Sequence, residues 1–337
     1  MGNSDGTSYT QWQEVINMLL PSHAPKRNRP LAAGTRTVFP PGFRLFLMSL
    51  PFLLIVFLFS YLPLYGWIYA FFDYRAGMRL SSTPFVGLKH FVTLVSNPVT
   101  VSEILRVLQN TFAMSFLGIL TSWLPAAFAV LLSEMRSARY RSMVQTLTTL
   151  PNFISWILVY SVVWSMFSVG DGFLNRLLLA THLIDTEINF LASSDHVWLT
   201  MLGYQIWKGL GWSAILYLAA IAGIDQELYE AARVDGAGRF RCILHITVPG
   251  LLPTFFVLLL LSIANFINNG MEQYFIFQNP MNKASIEVLD LYVYNKGLIG
   301  NNIPFSTVVS MLKSLVSVVL LFTANRMSKA VRGESIL

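Results

Sequence analysis

The side chains with the greatest capacity for chemistry in this sequence stand where polar groups are least expected. Lys208, Lys313 and the carboxamides Asn265, Asn268 and Asn269 all fall within stretches otherwise rich in apolar residues. A cation in such a setting is costly unless a wet cavity, a partner's acid or a set of backbone carbonyls satisfies it, and each lysine has those three readings. The asparagines, followed by Glu272, Gln273 and Tyr274, offer planar hydrogen-bonding groups that can bind the hydroxyls of a polar solute. They can equally join two helices or end one. Trp164, Trp207 and Trp212 have flat faces on which a ligand ring can stack, with packing or an interfacial belt as the competing roles.

Groups that make and break bonds are missing. There is no G-x-x-x-x-G-K-S/T loop to cradle phosphates and no G-x-S-x-G nucleophile elbow. The five histidines, His23, His90, His182, His196 and His245, are scattered without metal-ligand spacing. Gly236-Ala237-Gly238 lacks a preceding strand and reads as a turn. The single Cys242 excludes an intrachain disulfide. The chain reads as catalytically empty, with no metal site and no cofactor of its own, so any energy source lies in other subunits.

The elements that hold these residues follow from composition. The chain of 337 residues is 54% hydrophobic and 12% charged, with a mean hydropathy of +0.56. Soluble domains carry about 25% charged residues, so the sequence predicts an all-α integral membrane protein. Six apolar stretches, near 45–71, 111–133, 143–168, 197–222, 250–270 and 305–325, are long enough to cross a hydrocarbon core, which needs roughly 20 residues. The polar, proline-containing stretch before the first is wrong for a cleaved signal peptide, which makes the first span a retained anchor. Residues 9–20 read as an amphipathic surface helix or as part of a disordered tail. With the N-terminus inside, interior segments hold fourteen lysines and arginines and exterior segments seven, so the positive-inside rule places both termini and the 225–249 loop in the cytoplasm. The net charge of +6 follows from this asymmetry and needs no nucleic acid.

Between the fourth and fifth spans lies a polar interval with its own pattern. Asp225 is placed to cap a helix through 226–235, with Glu227 and Glu230 near its positive end. Ala231 and Ala232 keep one face low enough for close approach, and Gly236 and Gly238 permit a sharp turn. A second short helix with Phe240, Ile243 and Leu244 on one face is expected next, ended by Pro249. The run Glu230-Ala231-Ala232-Arg233-Val234-Asp235-Gly236, with Ile246-Thr247-Val248-Pro249 nine residues later, resembles the EAA loop of ABC-importer membrane subunits, Val248 replacing the usual Leu. Further pieces are similar to signatures of sugar-importer permeases: Pro84–Phe91 (with His90 where Asn is common), Gln109-Asn110-Thr111, Gly172–Asn175, Ile206-Trp207-Lys208 with Gly211, and Tyr292–Leu298.

The resemblance covers about 44–330 and points to the carbohydrate-uptake group of type I, binding-protein-dependent importers, within it to the subgroup handling polysaccharide fragments. It implies a six-span permease domain over 44–330 between cytoplasmic tails at 1–43 and 331–337, in a bacterial inner membrane. It also implies a second permease subunit of different sequence, two ATPase subunits binding ATP and Mg, and an extracytoplasmic solute-binding protein. Glu230, Ala231, Ala232, Asp235, Gly236, Ile246 and Pro249 are then the coupling residues. Lys208, Trp212, Asn265, Asn268 and Asn269 are the expected substrate path. The rival reading is a secondary transporter that uses Lys208 and Lys313 for ion coupling and needs no ATPase.

Overall fold

In the computed structural model, residues 41–191 and 194–332 are described; the expectation for residues 9–20 lies outside them. The chain divides into two compact units, residues 1–64 and 65–337. Among the described residues all regular structure is helical. The first membrane-crossing helix is α1 (Leu45–Phe71). The second unit holds α2 (Lys89–Ser96), α3 (Pro98–Leu120), α4 (Leu124–Ser133), α5 (Ala138–Thr149), α6 (Trp156–Phe167) and α7 (Phe173–Ala180). These are followed by α8 (Val197–Ala222), α9 (Gln226–Val234), α10 (Arg239–Ala264), α11 (Glu272–Phe277), α12 (Lys283–Ile286), α13 (Leu289–Tyr294) and α14 (Ile303–Arg332).

Among the described residues, four helical stretches are long and apolar enough to cross a membrane alone, and up to six are if each bent pair counts as one span. The expected continuous third span is therefore corrected. The segment 138–153 meets α6 at 105°. Pro151 cannot continue the helical ladder, Ile154 is extended, and the Ser155 side chain starts α6 afresh by accepting from Leu158 N. The second span begins at Pro98, well before the expected 111, because Asn97 caps it through Val99 N at 3.0 Å with proline as the first helical residue. The fifth ends at Ala264, short of the expected 270.

Packing fixes α8 as the central element. It lies against α4 and α5, and α10 lies against α14. Ala129, Ala214, Tyr217 and Leu251 form one buried cluster between α4, α8 and α10. Gly211 lets α8 touch the backbone of α5: a Cβ there would stand 2.3 Å from the carbonyl carbon of Thr148. Backbone cannot swing aside as a side chain can, so Gly211→Ala should destabilise the fold by about 1–3 kcal/mol, the usual cost of overpacking. The thermal midpoint of the detergent-purified protein reads this; an unchanged midpoint would rule out the close approach.

Candidate functional site

The polar interval 225–247 builds a short helix with both ends closed. Asp225 Oδ1 accepts from Glu227 N at 3.0 Å and so caps the start of α9. At the other end Gly236 N donates to Arg233 O at 3.0 Å and Ala237 N to Ala232 O at 2.8 Å. That pair of bonds is a Schellman closure, which needs a left-handed residue, and Gly236 supplies it at φ +75°. Glu230, Ala231 and Asp235 are exposed, and Ala232 is half-buried. Exposed apolar side chains stand beside them, with Val234 at 89% and Phe240 at 72% exposure.

Two contacts fasten α9 to the span that follows. The Tyr229 hydroxyl and Thr247 Oγ1 are 2.9 Å apart, and Thr247 is buried. Ile224, in the turn before α9, reaches Gly250 so closely that a Cβ there would lie 2.7 Å from its Cδ1. The expected separate second helix ended by Pro249 is corrected: helix runs unbroken from Arg239 to Ala264. Its ladder widens to a π turn at Ile243–Thr247, just before Pro249, whose ring lacks the N–H that an α ladder would use. Ile246 and Pro249 thus lie within the span.

A cleft of about 550 Å³ opens between α3, α4, α8 and α10, within the ~300–1,000 Å³ range of small-molecule sites. Asn265, Asn268 and Asn269 line its end farthest from α9, with Ser115, Gln205 and Phe266 nearby. These asparagines stand past the helix, not within it: Asn265 ends α10, its Nδ2 donating to Leu261 O at 3.0 Å. Asn269 Nδ2 donates to Ser115 Oγ at 3.0 Å and Asn268 Nδ2 to Ser317 Oγ at 3.4 Å. The turn is completed by Gly270 at φ +71°, whose N–H donates to Asp290 Oδ2 at 2.9 Å. Lys313 pairs with the same carboxylate.

Neither Lys208 nor Trp212 lines the cleft. Lys208 Nζ donates to Pro151 O at 3.2 Å, Asn152 O at 2.9 Å and Ile154 O at 2.6 Å, three carbonyls at the bend before α6. It also stands 5.4 Å from the Trp156 ring centre. Of its three readings the carbonyl one holds. Trp212 meets Phe153 edge-on at 5.6 Å.

Other polar residues, not singled out in the sequence, build the wall beyond the asparagines. Glu287, 3% exposed, accepts from Arg106 Nη2 and from Asn295 Nδ2, both at 2.9 Å. Arg106 Nη1 and Asn110 Nδ2 both reach Ala284 O at 2.9 Å. Thr111 Oγ1 accepts from Leu289 N at 2.9 Å, and the Trp198 indole donates to Ser285 O at 3.0 Å. Asn110 and Thr111, noted for their motif, therefore hold the segment 284–289 in place. Tyr292 donates to Glu103 Oε2 at 3.1 Å; burial first, and then the charge of Glu103, push its pKa up, so this phenol remains a donor.

Comparison with known proteins agrees with this architecture. The family described as the inner membrane component of binding-protein-dependent transport systems matches residues 118–333. Protein LplB of Bacillus subtilis (strain 168) is 38% identical over 293 residues, which span 87% of this chain and 90% of that one. The polygalacturonan/rhamnogalacturonan transport system permease protein YteP of the same organism is 36% identical over 87% and 89%. A crystal structure of a bacterial ABC transporter involved in the import of the acidic polysaccharide alginate superposes with a TM-score of 0.77 at 31% identity, over 86% of this chain and 96% of that chain. With a family match over most of its length and two relatives above 30% identity, the chain belongs to the binding-protein-dependent transport system inner membrane components.

Proposed function

We propose that the chain is one permease subunit of an ABC importer that moves oligosaccharide or polysaccharide fragments into the cytoplasm on ATP hydrolysed by partner subunits. The observation that carries this reading is α9: an exposed helix, capped at both ends, carrying the Glu230–Gly236 pattern and fastened to its own span. Such a knob suits a socket on an ATPase. Its termini and this loop then face the cytoplasm, in keeping with the charge asymmetry of the sequence. The relatives that transport polysaccharide fragments support the cargo class.

The geometry also supports a route for coupling. A pull on α9 acts on α8 through the turn at Ile224–Asp225 and on α10 through Tyr229–Thr247 and Ile224–Gly250. Both helices line the cleft, so closure of the ATPases changes its walls. Ion coupling through Lys208 or Lys313 has no support here, since one is held by three carbonyls and the other is paired with Asp290.

The test is uptake and substrate-stimulated ATP hydrolysis by the whole complex in proteoliposomes, with its binding protein and a labelled oligosaccharide. Asn265→Ala combined with Asn268→Ala removes hydrogen bonds worth ~0.5–1.5 kcal/mol each, and the half-saturating cargo concentration should rise about fivefold to a hundredfold. An unchanged value would move the path to the partner permease chain.

A further inference from the structure

The cleft has a property that the named relatives would not lead one to expect: none of the described residues lining it carries a formal charge. Its polar groups are hydroxyls and amides, among them Ser115, Thr121, Ser122, Gln205, Ser213 and Asn265. Phe266, half-buried and 5.5 Å from the Phe112 ring, adds an aromatic surface. Lys208 and Lys313 are engaged elsewhere. Lys208 is bound to Pro151, Asn152 and Ile154 on the far side of α8, and Lys313 to Asp290.

Building on the sugar-importer reading above, we infer that this chain's wall of the path selects uncharged glycosyl units and works against uronates. A hydroxyl-bearing ring finds neutral donors and acceptors plus an apolar face. A carboxylate brought to the same wall loses water and finds no cation to replace it, and burying an unpaired charge is strongly unfavourable. Neutral amides and hydroxyls recover only part of that loss, since a charge-assisted pair with Arg or Lys is the stronger bond. YteP, by its name, serves polygalacturonan, whose repeating unit is an acid; the wall described here is built for the opposite cargo.

The experiment uses the complete reconstituted complex and two probes of equal length, a neutral gluco- or xylo-tetrasaccharide and a tetragalacturonate. Each is supplied at high concentration to a complex whose ATP hydrolysis is recorded alongside uptake. The wild-type complex should take up the neutral probe about tenfold or more faster than the acidic one. Gln205 is exposed to the cleft, and Gln205→Lys should raise the acid-to-neutral ratio by a similar factor. Wild-type uptake of the acid equal to or faster than that of the neutral probe overturns the inference while leaving the importer reading intact. If a hydrolysing complex takes up neither probe and is stimulated by neither, the sugar reading itself fails, and this inference with it. A Gln205→Lys complex that assembles without a change in ratio removes the wall from selection and also overturns the inference.

Discussion

Replacing Gly236 by valine should separate ATP hydrolysis from transport. At φ +75° a β-branched residue is strained by about 1–2 kcal/mol or more. The strain is met most simply by opening the turn, which releases the Ala237–Ala232 and Gly236–Arg233 bonds and frays the C-terminal end of α9. A Cβ at this position would touch nothing within 4 Å, so the effect is one of backbone conformation and not of crowding. The sign is therefore testable with a second variant. Asparagine enters the left-handed region far more readily, and Gly236→Asn should keep most of the transport that Gly236→Val loses, by roughly tenfold or more. Both complexes should assemble and hydrolyse ATP. Equal transport by the two variants would show that the closure of α9 has no part in coupling.

The second large effect is expected at Arg106. Its guanidinium is the cation on Glu287, whose side chain is almost wholly enclosed. Truncating Arg106 to alanine leaves that carboxylate with Asn295 alone and takes a donor from Ala284 O. An uncompensated buried charge costs about 3–5 kcal/mol, a large share of the ~5–15 kcal/mol that holds a typical protein folded. Arg106→Ala should therefore reduce the folded complex in the membrane several-fold and lower its thermal midpoint. Adding Glu287→Gln removes the orphaned charge and should recover part of the loss. A double variant no better than the single one would show that hydrogen bonds, and not the charge, account for the cost.

How much of this could be read in advance differs by residue. Asp225 and Gly236 were legible because caps are local: the bonds they make span only a few positions. The membrane-crossing stretches were legible because length and hydropathy are also local. The 105° break before α6 was signalled by Pro151 and Ser155 inside an apolar run, a signal that the overall hydropathy of 143–168 concealed. The wall beyond the asparagines was not legible. Arg106 and Glu287 are 181 positions apart, and Thr111 and Leu289 are 178 apart; no spacing rule reaches that far. Asn110 and Thr111 matched a motif, yet their role as anchors for 284–289 emerges only once the fold brings that segment to them. Lys208 shows the same limit, since its partners exist only because a distant helix is broken.

That lysine also gives the molecule a mechanical character. The carbonyls of Pro151, Asn152 and Ile154 at the bend are gathered by one ammonium group on another helix, which acts as a pin through a joint. The pin sits fourteen residues from Ala222, ~21 Å along a straight rod, and α9 begins just past that point. Under the proposed coupling, the rod, the joint and the knob would act as a bell crank: a force on α9 would travel along α8 and reach the bend before α6 through the Lys208 contacts. A flexible side chain at the pivot lets the angle change without breaking the linkage, which a backbone ladder at the same place could not do.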